Sequence, residues 1–179
     1  MSVADIRAVD PLCADALELL RAAALEARAL YPELIPVDAP LPTNAPHAPG
    51  CVYLVAYDGE RPVGMGALRP VPASADQAPA ADTAEVRRMF VDAGYRRRGV
   101  GRGVLSALER HAATIGCRRL VLETGNRQVP AIAMYEACGF WPIEPFGPYV
   151  GDPLSRCFEK FLVARDARGR VAAPRGSTP

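Results

Sequence analysis

The stretch Glu85 to Gly103, EVRRMFVDAGYRRRGVGRG, runs an apolar strand pattern through a short turn into three arginines and then glycines spaced G-x-G-x-G. Glycine lets a backbone come close to a ligand because no Cβ stands in the way. A helix that starts at these glycines aims unpaired N–H groups and the positive end of its dipole outward. Arginines at such a helix start are electrostatically disfavoured unless an anion is present, and a phosphate or pyrophosphate meets that need. The fold must therefore let a strand deliver this turn to a helix N-terminus.

Spacing separates the phosphate-binding families that share such glycines. A P-loop needs G-x-x-x-x-G-K-[ST], and no lysine follows here; a dinucleotide fingerprint needs G-x-G-x-x-G and an acidic residue about 20 positions on. Gly99, Gly101 and Gly103 miss the second spacing, although Glu123 stands near the required distance. They fit [Q/R]-x-x-G-x-[G/A], read as Arg96, Arg97, Arg98, Gly99, Val100 and Gly101. A second pattern, A-I-x-[LM]-Y-x-x-x-G-F, matches Ala131 to Phe140, AIAMYEACGF. With both in order, the chain resembles the GNAT superfamily of acetyl-CoA-dependent N-acetyltransferases, strongly over Thr83 to Phe140 and by topology outside it.

The bulk properties agree with one enzyme-sized domain. A chain of 179 residues forms one domain with a sizeable core, taken as 1–164, and the Gly-, Arg-, Pro- and Ser-containing 165–179 reads as a disordered tail. No apolar run approaches the roughly 18 residues of a membrane span. Ala14 to Leu30 comes closest, but Asp15, Glu18, Arg21, Glu26 and Arg28 interrupt it, so it reads as an amphipathic helix. A net charge of +1 gives nothing to recruit nucleic acid or an anionic membrane. The five cysteines are scattered without C-x-x-C spacing, which argues for reduced thiols in a cytoplasm and against a zinc site.

Local signals place the elements. They predict a short strand at Val3 to Arg7, a helix from Leu12 to Leu30, and a proline-rich connection from Tyr31 to Gly50 that faces substrate or simply connects. Cys51 to Tyr57 and Pro62 to Leu68 flank Asp58-Gly59, a strand–turn–strand pattern. A loop from Pro70 to Ala81, a strand from Thr83 to Val91, a helix from Gly99 to Ile115, a buried strand at Leu120 to Leu122, a helix from Pro130 to Cys138 and a strand from Phe158 to Val163 follow. The expected fold class is α/β: a GNAT-like mixed, mostly antiparallel sheet flanked by helices, with a splayed central strand pair.

The resemblance also assigns roles. It gives the coenzyme pyrophosphate to Arg96, Arg97, Arg98, Gly99, Val100, Gly101, Arg102 and Gly103, and the pantetheine arm to backbone groups of Met89, Phe90 and Val91. Gln128 stands seven residues before Tyr135, where the family often has Asn; its amide still donates, and Asn126 is near enough to substitute. Tyr135 matches the tyrosine that donates a proton or hydrogen bond to the leaving sulfur, and it also suits a core position. Glu85, 11 residues before Arg96, matches the glutamate that serves as base directly or through a water; the plain alternative is an ion pair with Arg87 or Arg88 on a solvated face. Tyr149 and Asp152 suit either an acceptor-side grip on a cationic amine or a Gly-Asp-Pro turn. His47 and His111 show no partner spacing for a triad or a metal, and Cys117 and Cys138 read as core residues.

Together these imply acetyl transfer from acetyl-CoA, without a metal, to an amine-bearing small molecule or peptide that attacks directly in a ternary complex. The acceptor's identity and the oligomeric state, a homodimer included, stay open. The same motifs would also serve a coenzyme- or peptide-binding module that has lost the chemistry, against which Glu85 and Tyr135 argue.

Overall fold

The computed structural model describes residues 5–71 and 82–162. Seven strands form one sheet: β1 (Asp5–Ala8), β2 (Val52–Asp58), β3 (Arg61–Pro70), β4 (Thr83–Val91), β5 (Arg119–Gly125), β6 (Trp141–Ile143) and β7 (Ser155–Phe161), in the order β1-β2-β3-β4-β5-β7-β6. Three helices accompany it: α1 (Ala14–Leu30), α2 (Val100–Thr114) and α3 (Val129–Ala137). Every strand pair is antiparallel except β4–β5. That pair is parallel because α2 carries the chain back between them.

The two faces of the sheet bury different helices. On one, Val104, Leu105, Leu108 and Ala112 of α2 recur at helical spacing and pack on Leu54, Leu68, Val86, Leu120 and Leu122. On the other, Ala16, Leu19 and Leu20 of α1 cover Tyr53, Val55, Tyr57 and Met65. Strand β2 lies between both, and its residues Val52 to Tyr57 are buried continuously. The expected hairpin, the strand over Thr83–Val91 and the three helices are present, and β7 starts three residues earlier than the apolar pattern of Phe158 to Val163 suggests. The short β6 has no counterpart in the expected elements. His111 of α2 is half-buried, and its Nε2 is shut away from solvent without a hydrogen-bond partner among the described residues. Residues 165–179 and most of the Pro70 to Ala81 loop lie outside the described residues.

One irregularity decides where the sheet opens. Ala67 pairs with Arg87 and Met65 with Phe90, so Arg88 and Met89 together face Gly66 alone. This is a β-bulge, and Arg88 within it has a left-handed backbone at φ 57°. The β4–β5 pairing stops just before it, at Val86 and Leu122. Gly66 leaves room for the bulge: a Cβ there would lie 2.6 Å from Met89 Sδ and 2.7 Å from Val104 Cγ1. Gly66→Ala is therefore expected to overpack this contact and destabilise the chain by about 1–3 kcal/mol, read as a lower urea midpoint; an unchanged midpoint would show that bulge and α2 yield freely.

Candidate functional site

Beyond Val86 and Leu122 the two central strands part, and a cleft of about 360 Å³ opens between them. Glu85, Arg87, Arg88 and Met89 line it from β4, Glu123, Thr124 and Gly125 from β5, and Gln128 and Tyr135 from α3 and its cap. Leu20, Ala23, Ala24 and Ala27 of α1 and Ile35, Pro40 and Pro42 of the proline-rich connection close another side. That connection therefore walls the cleft and is more than a linker.

Strand alternation puts Glu85 on the face turned to α1, opposite Arg69 of β3. Its side chain is 3% exposed, and both Arg69 nitrogens Nε and Nη2 reach Oε2, at 2.9 and 2.8 Å. The Tyr149 hydroxyl donates to Oε1 at 3.0 Å, and Arg87 Nε lies 3.8 Å from the same oxygen. Glu85 is thus ion-paired, chiefly across strands to Arg69 and more loosely to Arg87, but in a closed setting and not on a solvated face. A buried carboxylate needs such partners, because desolvating an unpaired charge costs several kcal/mol. Tyr149 sits in a short 3-10 helix, Gly147–Tyr149, and burial together with Glu85 pushes its phenol up to about 12.

Tyr135 is a core residue that also borders the cleft. Its ring packs edge-on to Phe140 at 5.9 Å and beside Phe158 at 6.4 Å, while the residue also lines the cleft. Burial, with Glu123 nearby, raises its pKa well above the ordinary phenol value, so it keeps its proton at any neutral pH. Glu123 is raised too, chiefly by burial, with the Ser155 hydroxyl bond working against the rise.

The glycine loop lies at the start of α2. Gly99 is the N-cap in the left-handed region at φ 85°, no side chain caps the helix, and the first helical bond runs from Gly103 N–H to Gly99 O. The N–H groups of Val100, Gly101 and Arg102 therefore have no intrahelical acceptor, which suits an anion. Gly101 sits against α3: a Cβ there would lie 2.9 Å from Met134 Sδ. The cradle and the helix of Tyr135 are thus packed together. Of the arginines, Arg97, Arg98 and Arg102 are exposed. Arg96 is already engaged, donating from Nε to Val91 O at 2.9 Å and pairing with Glu26 of α1. Phe90 and Val91 pair with β3 on one side, while on the side of β5 the stretch Met89 to Val91 has no strand neighbour.

Sequence reasoning missed Arg69, Ser155 and the place of Glu123 in the cleft. Counting the hairpin register would have set Arg69 opposite Glu85, and strand alternation from buried Leu120 and Leu122 would have turned Glu123 to the other face. Among the described residues no three His, Cys, Asp or Glu side chains gather as around a metal ion, and no helix is long and apolar enough to cross a membrane.

Comparison with known proteins agrees with this geometry. The sequence model of the Acetyltransferase (GNAT) family matches residues 17–140. The IAA acetyltransferase of Azospirillum brasilense is 40% identical over 118 residues, covering 64% of this chain and 70% of its own. A Klebsiella pneumoniae protein classed with the acyl-CoA N-acyltransferases superposes with a TM-score of 0.68 at 30% identity, over 89% of this chain and 98% of that one. The protein yncA of Salmonella typhimurium, solved with its cofactor acetyl-CoA, shares the fold at a TM-score of 0.62 and 17% identity, over 93% of this chain and 98% of that one. By its sequence, its parted central strands and these relatives, the chain belongs to the GNAT family of acetyltransferases.

Proposed function

We propose that the protein moves an acetyl group from acetyl-CoA to an amine by direct attack in a ternary complex. The observation that carries this reading is the parting of β4 from β5 beside an α2 N-terminus that no side chain caps. The parted edge of Met89 to Val91 offers backbone groups to a pantetheine arm. The amides of Val100, Gly101 and Arg102 meet the pyrophosphate, that of Gly103 being spent on Gly99 O, with Arg97, Arg98 and Arg102 at hand for its charge. Gln128, at the α3 cap, supplies an amide to the same arm. That a distant structural relative was solved with acetyl-CoA supports the choice of donor.

Attack on a thioester asks for an unprotonated amine, support for the developing oxyanion and a proton for the departing thiolate. Tyr135, held protonated by its surroundings, donates to the sulfur. Glu85 accepts a hydrogen bond from the amine, directly or through a water. To take the proton itself it must share an oxygen already engaged by Arg69 or Tyr149. The acceptor is an amine-bearing small molecule or peptide small enough to sit between α1 and the sheet.

Two assays test this reading. Acetyl-CoA at about 100 times its Kd should stabilise the chain by about 2.7 kcal/mol, a rise in Tm of about 5–10 °C. Gly101→Val, whose side chain crowds Met134 and blocks close approach of the coenzyme, should abolish that rise. Binding with no thiol release on any amine would instead identify a coenzyme-binding module. In a thiol-release assay Tyr135→Phe should lower kcat by about a hundredfold while sparing the acetyl-CoA shift, and Glu85→Gln should lower kcat/KM as its pairing with Arg69 is lost. Full rates in both variants would remove these residues from the reaction.

A further inference from the structure

Acetylation of an ammonium by acetyl-CoA yields an amide, a thiol and one proton. When Tyr135 protonates the sulfur and regains a proton from the nitrogen of the tetrahedral intermediate, the proton lost by the ammonium before attack must still leave the cleft. Glu85 offers it a poor exit, since Arg69 holds one oxygen, and Tyr149 and Arg87 surround the other. Glu123 differs. Its Oε1 lies 2.8 Å from Ser155 Oγ, and the same Oγ lies 3.0 Å from Asp152 Oδ2.

A serine hydroxyl owns one proton, so it can donate to only one of the two carboxylates at a time. The second contact is a hydrogen bond only when that carboxyl carries a proton of its own. The three groups also run outward in order: Glu123 lines the cleft, Ser155 is 4% exposed on β7, and Asp152 is open to solvent. Asp152 is held in place as well, its Oδ1 accepting from Leu154 N–H at 2.9 Å.

We propose that Glu123, Ser155 and Asp152 form a proton relay that carries the ammonium proton from the cleft to solvent, with Glu123 as its inner acceptor. The relay rests on the transferase reading above. An N–H bond of the ammonium breaks, its proton passes to a carboxylate oxygen of Glu123, and the electron pair left on nitrogen attacks the thioester carbon. Protonated Glu123 then gives a proton to Ser155 Oγ while the hydroxyl's own proton passes to Asp152, which returns it to water. No further reactant is consumed.

The surroundings of Glu123 suit an acceptor. Facing it are Glu85 and Arg87 of β4, Cys157 and Ser155 of β7, Tyr149, Asp152 and, from α3, Tyr135. Burial raises its proton affinity first, and Asp152 and Glu85 push the same way, against the Ser155 bond and Arg87. Ser155 and Asp152 act through Glu123, as conduits and not as groups that touch the acceptor.

The test is a carboxyl carbon NMR titration of Glu123 in the full chain, its signal assigned by loss in Glu123→Gln. Asp152→Asn should lower the proton affinity of Glu123 by about tenfold while Ser155 is present, and by clearly less in a Ser155→Ala background. Ser155→Thr, which keeps a hydroxyl, should restore the large effect. Equal effects with and without the hydroxyl would mean plain charge repulsion through space and would overturn the relay. The acetyl-CoA melting shift of each variant reports an intact cleft. Its absence in the unaltered chain would sink the transferase reading instead, whatever the titration gave.

Discussion

The bulge at Arg88 and Met89 is the constraint on which the site depends. An arginine with φ near 57° is disfavoured by roughly 1–2 kcal/mol relative to ordinary strand geometry. It persists because both sides are filled: Gly66 yields the space opposite, and α2 packs Val104 and Leu108 against the gap. The extra residue turns β4 away from β5, so hydrogen bonding between them ends at Val86 and Leu122. The edge of Met89 to Val91 that a neighbouring strand would have covered is left open. The sheet thus gives up pairing along the stretch proposed for the coenzyme, and the packing of α2 sustains the opening.

An opening in a sheet exposes what the two strands carried, and the cleft holds two carboxylates in different circumstances. Glu85 is enclosed and compensated by Arg69, Arg87 and Tyr149. Glu123 has a single hydroxyl partner that it shares with Asp152. Residues of the same type one strand apart are thereby separated into an anchored group and an exchangeable one. Environments that drive like groups apart are a usual route to distinct acid–base tasks.

Much of this could be read from the chain because the decisive signals are local. The G-x-G-x-G spacing, the Asp-Gly turn and the apolar period of α2 each fall within one element, and each element formed where its signal stood. What escaped depends on register between distant segments. Arg69 meets Glu85 only through the hairpin alignment, and Ser155 meets Glu123 only because β7 returns beside β5 from some thirty residues away. β6 spans three residues, one of them Pro142, and has no period to detect. The left-handed turn at Arg88 carries no glycine to announce it. Arg96 has a contact the motif could not announce: α1, which the motif does not contain, supplies Glu26 as its partner.

That last contact links the two halves of the site. Helix α1 walls one side of the cleft, and Glu26 ties its C-terminal half to Arg96 at the entrance of the glycine loop. Its far end is tied as well: the Tyr31 hydroxyl accepts from Arg127 N–H at 2.9 Å, and Arg127 reaches Leu30 O at 2.7 Å and pairs with Glu33. Gly125 is glycine at the point where the Tyr31 ring crosses it, since a Cβ there would collide with the phenol. The helix that walls the cleft is therefore fastened to both the loop before α2 and the loop before α3. A coenzyme phosphate that draws Arg96 toward itself must compete with Glu26. In this arrangement the order of the sheet, the bulge and one ion pair connect the glycine loop to the wall that α1 forms across the cleft.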